Sequence, residues 1–212
     1  MLLLVLYVWY KYGIYDFLAL TNWGAHLTYF SFVLSYKATE DQLKYPDKVS
    51  GLKFLRWRTA VWMFEVSLIL EIGITIVFWT MLYDPSDPFS WDSFENICIH
   101  SLPLIMLTID FFMQRWVFRY NHLAIVFMIG IPYLFLNYYW TVTHSPIYPM
   151  LTWDDIESVI FVLSYIALTV LSFNILYLFT RINAQLKEPR KINAINQSTV
   201  VLIPALFERR IV

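Results

Sequence analysis

The chain has a single cysteine, Cys98, and five glycines among its 212 residues. A lone thiol excludes a disulfide framework and any cysteine-based metal site. The glycines form no phosphate-binding loop, and neither an internal repeat nor a low-complexity tract is present. Charge is also scarce: 15% of residues are charged, the net charge is −1, and no nucleic-acid partner is expected. His26, His100 and His144 show no paired His-x3-His spacing, so no metal, haem or other cofactor is expected either.

What the chain has in abundance is apolar surface. At 59% hydrophobic and 19% aromatic residues, it carries more than a soluble domain of this length can hide in one core. The expectation is an all-α, polytopic transmembrane helix bundle. A hydrocarbon core about 30 Å thick needs about 20 apolar residues per crossing. Five stretches meet that length, from about Ile14 to Tyr36, Trp57 to Tyr83, Ser93 to Met113, Asn121 to Thr143, and Ile156 to Phe179. The opening MLLLVLYVWY is about half a span and has no basic n-region or cleavage site. It reads as a short interfacial helix or the remnant of a sixth span rather than a signal peptide. Residues 1–180 then form the bundle and residues 181–212 a basic C-terminal tail.

The connections alternate in sign. Residues 37–58 hold Lys37, Lys44, Lys48, Lys53, Arg56 and Arg58 against three acids, and Arg115, Arg119 and the tail from Arg181 are also basic. The segments around Asp84, Asp87 and Asp92 and around Asp154 and Asp155 carry acids and no base. Basic segments face the cytoplasm or its topological equivalent. Ile14 and Ser93 therefore start their spans at the non-cytoplasmic face.

Polar groups inside spans are expensive, and each is a candidate functional group. The segment FLALTNWGAHLTY places Thr21, Asn22 and His26 in an apolar run, with Thr21 about 10 Å down its helix. In ENICIHSLP, Asn96 and His100 are four residues apart and share a helix face, which sets His100 at nearly the depth of Thr21. The two are expected to meet in one outward-facing pocket, with His144 as a roof. A hydroxyl beside an imidazole suits nucleophilic acyl transfer, in which the His takes the Thr proton and returns it to the leaving alcohol. Asn96 or Asn22 would orient the ring or donate to the oxyanion. His26 faces another way and reads as a packing residue. Glu65 and Glu71 lie about 120° apart around one helix, so they make no carboxylate pair, and each should meet a basic or hydroxyl partner or line a cavity.

Several short motifs occur together and in order. FLALTNWGAHL contains a Leu-Thr pair at Thr21, VFWTMLYD a Phe-Trp followed by Tyr-Asp, ENICIHSLP an Asn-x3-His before Leu-Pro, and PIYPMLTW a Tyr-Pro segment ending in Trp153. Over residues 14–180 the chain resembles the androgen-induced gene family of multi-pass membrane proteins, which includes the androgen-dependent regulator of tissue factor pathway inhibitor, with features of the rolling stone proteins. The resemblance implies a threonine hydrolase of fatty acid esters of hydroxy fatty acids. It would use Thr21 as nucleophile and His100 as base, take a membrane lipid or lipid ester as substrate, and sit in an endomembrane or the plasma membrane.

Two other readings stay open. One is a catalytically silent relative serving as an accessory structural subunit of a larger membrane protein complex, for example of respiratory-chain type in the mitochondrial inner membrane; the short first helix motivates it. The other is a transporter built on Pro103, Pro132, Glu65 and Glu71, although no inverted repeat supports it.

Overall fold

The computed structural model describes residues 1–13, 18–44, 51–84, 86, 91–114 and 117–208. Every regular element among them is helical: α1 (Leu2–Tyr12), α2 (Leu20–Lys44), α3 (Gly51–Val77), α4 (Trp91–Gln114), α5 (Leu123–Thr143) and α6 (Ile156–Glu208). A π-helical turn, Phe78–Leu82, extends α3, and a 3-10 turn, Tyr120–His122, leads into α5. The helical backbone of α6 continues through the segment expected as a basic tail.

Leu55–Leu82, Ser93–Met113, Tyr120–Thr143 and Ile156–Asn183 are long and apolar enough to cross a membrane. These four helices fit a multi-pass membrane protein. The expected first span, Ile14 to Tyr36, is not among them. Residues 14–17 lie outside the described residues, and α2 runs from Leu20 to Lys44 with a large share of polar and small side chains. The reason lies in what α2 buries. Thr21, Ala25, Thr28, Ser31, Ser35 and Ala38 are all buried and recur every three or four residues, which turns one stripe of small and hydroxyl-bearing groups inward. Such a stripe lets helices approach closely in a bilayer. At Gly24 the approach is closest, for a Cβ there would lie 2.6 Å from Glu71 Oε1 and 2.7 Å from Ile74 Cδ1.

Helix α3 is the hub. It packs against α2, α4, α5 and α6, and Phe64, Val66, Leu68, Ile69, Leu70 and Ile74 from it are buried. Residues 64–71 of this helix are buried all round and need no polar face, so only Glu65, Ser67 and Glu71 interrupt the apolar run there. Phe111, Phe118 and Phe173 complete the core from α4, the turn before α5, and α6. The short α1 is held at the rim by side chains. Lys11 Nζ pairs with Glu95 Oε2 at 2.7 Å, Tyr7 donates to the same oxygen at 3.0 Å, and Trp9 Nε1 donates to His26 Nε2 at 3.0 Å.

Candidate functional site

The first turn of α2 carries Thr21, and two tyrosines hold that turn in place. A helix start leaves backbone N–H groups without partners. Here the Leu20 amide donates to the hydroxyls of Tyr133 at 3.1 Å and Tyr148 at 2.9 Å, and Tyr133 donates in turn to the Leu18 carbonyl at 2.9 Å. The usual side-chain cap is thus supplied by residues more than a hundred positions away.

His100 comes from α4 and is fixed from two sides. Its ring stacks on Phe78, with centroids 4.1 Å apart and planes 8° from parallel. Phe78 reaches that position from the π turn, a local widening of the helix found often at functional sites. Thr75 Oγ1 donates to the His100 carbonyl at 2.6 Å. Pro103 has no N–H for the Ile99 carbonyl, the neighbour of the carbonyl that Thr75 supports. Hydroxyls from neighbouring helices commonly support membrane helices at such places.

The structure brings Thr21 and His100 together: Oγ1 and Nδ1 are 3.5 Å apart. They share one end of a cavity of about 100 Å³ with Tyr133 and Tyr148, while the remaining lining is almost wholly apolar. No lining residue carries an acid or a base other than His100. Among the described residues the imidazole has no carboxylate partner, and stacking and backbone contacts orient it instead.

The other expected site residues are elsewhere. Asn96 is exposed, and the inward position in its turn belongs to Glu95, which is buried against Lys11 and Tyr7. Asn96 is one turn before His100 on α4, yet its side chain is outside the cavity lining. Asn22 is buried, yet one residue after Thr21 it is turned about 100° around α2 and does not line the cavity. His144 is exposed; it stacks on Trp140 with centroids 4.0 Å apart and meets Thr143 Oγ1 at 2.8 Å. The expected roof is a correction: Tyr148 and Leu151, four and seven residues later, line the cavity in its place.

The loop that carries them is anchored at Trp153, the one described non-glycine residue with positive φ, 66°. That conformation is unusual for a bulky side chain and persists only where surroundings enforce it. Trp153 Nε1 donates to the buried Asn137 Oδ1 at 2.8 Å, and its amide donates to Ser158 Oγ at 3.0 Å. Asp155 Oδ1 accepts the Ser158 amide at 2.7 Å, closing the cap of α6, and these bonds hold its carboxyl below the usual range. Burial pushes the Tyr148 phenol up, so it stays protonated. Its oxygen accepts from the Leu20 amide, and its hydroxyl lies within hydrogen-bond reach of Tyr133 and of Thr21 itself.

A second polar cluster lies toward the other end of α3. His122 Nδ1 and Glu65 Oε2 are 2.8 Å apart, and Trp62 Nε1 donates to His122 Nε2 at 2.8 Å. Because an indole only donates, Nε2 must accept, so the proton is on Nδ1 and points at Glu65. Glu71 Oε1 accepts from Thr28 Oγ1 at 3.4 Å. Each glutamate thus meets a group on another element, and neither lines the cavity. Sequence reasoning passed over Tyr133, Tyr148 and His122. Two tyrosines amid fifteen carry no signal of their own, and His122 sits beside a basic connection.

No family model, no curated protein and no solved structure matches this chain.

Proposed function

We propose that the protein is an intramembrane lipid esterase with Thr21 as nucleophile and His100 as general base and acid. The observation that carries this reading is the 3.5 Å approach of Thr21 Oγ1 to His100 Nδ1 at the mouth of an apolar cavity. Catalytic hydrogen bonds are often long in unliganded enzymes and tighten around substrate.

In the reaction, Oγ1 attacks the ester carbonyl as its proton moves to Nδ1. The tetrahedral oxyanion meets the Tyr148 hydroxyl and the positive end of the α2 dipole. Collapse expels the alcohol, which takes the proton from Nδ1, and leaves an acyl-threonine. Water then attacks that ester with His100 again as base, releasing the acid and restoring Thr21. Tyr148 takes the role expected of Asn96 or Asn22. The order of motifs that resembles the androgen-induced gene family supports the same assignment, and in this reading α2 is the fifth crossing helix, its polar stripe covered by α3.

A fluorophosphonate probe tests it. The wild-type chain should be labelled on Thr21, Thr21→Ala and His100→Ala should lose labelling while remaining folded, and Thr21→Ser should keep it. Labelling that survives both alanine changes overturns the proposal. No labelling, together with a stoichiometric partner set in mild detergent, would favour the accessory-subunit reading.

A further inference from the structure

We infer that the slot between α5 and α6 is the seat of a straight acyl chain and that Gly130 sets its width. This inference rests on the esterase reading for the position of the ester. The cavity has a polar head at Thr21, His100, Tyr133 and Tyr148, and an apolar stem between two helices. Along α5 the stem runs from Tyr133 to Val126, and along α6 from Val162 to Thr169. Seven rises between the ends of either wall give about 10 Å of helix. The stem is lined almost wholly by apolar side chains, Tyr165 and Thr169 being the hydroxyl-bearing residues along it, and leads away from the head, which suits an unbranched hydrocarbon chain better than a charged headgroup. Both walls lean on α3. Ile131, a lining residue, is 49% exposed, so the lip of the stem faces the surroundings of the bundle between α5 and α6.

Gly130 distinguishes this slot from a packing defect. A glycine within a helix is less favourable than alanine by about 1 kcal/mol and normally has a packing reason. Gly24 and Gly73 have one, since a Cβ at either would lie under 3 Å from a neighbouring side chain. A Cβ at Gly130 would meet nothing within 4 Å. The space it leaves belongs to the stem, and a side chain there would project into the path of the occupant.

Paired para-nitrophenyl esters test the inference on the full chain in nanodiscs. Gly130→Leu should lower kcat/KM for the octanoate by about tenfold or more while leaving the acetate within about twofold, with Gly130→Ala intermediate. Equal losses on both esters, or no loss on either, would overturn it. A diazirine-bearing octanoyl ester supplies a readout that needs no turnover. Cross-links should fall on the 126–134 and 161–169 segments, and Gly130→Leu, shown folded by its unfolding temperature, should reduce them about tenfold. Cross-links elsewhere, or equal competition by diacyl phospholipid, count against the slot. Cross-links in the slot without hydrolysis of either ester would uphold the acyl seat and reject the esterase reading.

Discussion

At the scale of single residues, two donors decide which way protons point. Trp62 forces His122 to accept at Nε2 and hence to donate from Nδ1 toward Glu65. Trp62→Phe keeps the ring but removes the donor, leaving a buried acceptor unsatisfied at a cost of about 1–3 kcal/mol. Thermal unfolding in detergent should show the loss, and nitrogen NMR of labelled histidine should show Nδ1–H at His122 in the wild type. A wild-type spectrum with the proton on Nε2 would reject this orientation. The Leu20 amide is the second donor: it binds the Tyr148 oxygen and so starts α2 beside Thr21.

At the scale of elements, helix approach is set by what is missing between α3 and its neighbours. A Cβ on Gly73 would lie 2.8 Å from the Tyr165 ring, a rigid group that lines the cavity and cannot bend aside as an alkyl chain would. Gly73→Ala should therefore destabilise the bundle by about 1–3 kcal/mol through overpacking, which outweighs the gain in helix propensity of about 1 kcal/mol. The unfolding midpoint in a denaturing detergent series checks it, and an unchanged or raised midpoint would show that α3 and α6 are not in close contact. The π turn after α3 belongs to the same scale, since it opens at Phe78, the residue whose ring stacks on His100.

At the scale of the whole molecule, the charge asymmetry of the connections predicts one orientation. Leu43, exposed at the end of α2, and Ser86, in the acidic connection after α3, should lie on opposite sides of the membrane. In sealed vesicles a membrane-impermeant maleimide should reach Leu43→Cys and Ser86→Cys from opposite faces. Labelling of both from one face would discard the topology. The cavity opens in the half of the bundle where α2, α4 and α6 begin and α3 and α5 end, so this measurement also fixes the leaflet from which a lipid would reach it.

The sequence by itself determined that the chain is helical and membrane-embedded, because apolar run length and loop charge act locally and need no knowledge of neighbours. It also brought Thr21 and His100 to one depth, since rise per residue converts position along each helix into height. The polar stripe of α2 lowers its hydropathy yet lies against α3, and Asn96 and His144, expected at the cavity, are exposed and outside its lining. These differences share a cause: periodicity gives height and angle on one helix, but which angle faces inward is set by the partner. Only tertiary packing decided that Tyr133 and Tyr148 cap the Thr21 turn, that Phe78 carries the imidazole, and that a slot remains open beside Gly130.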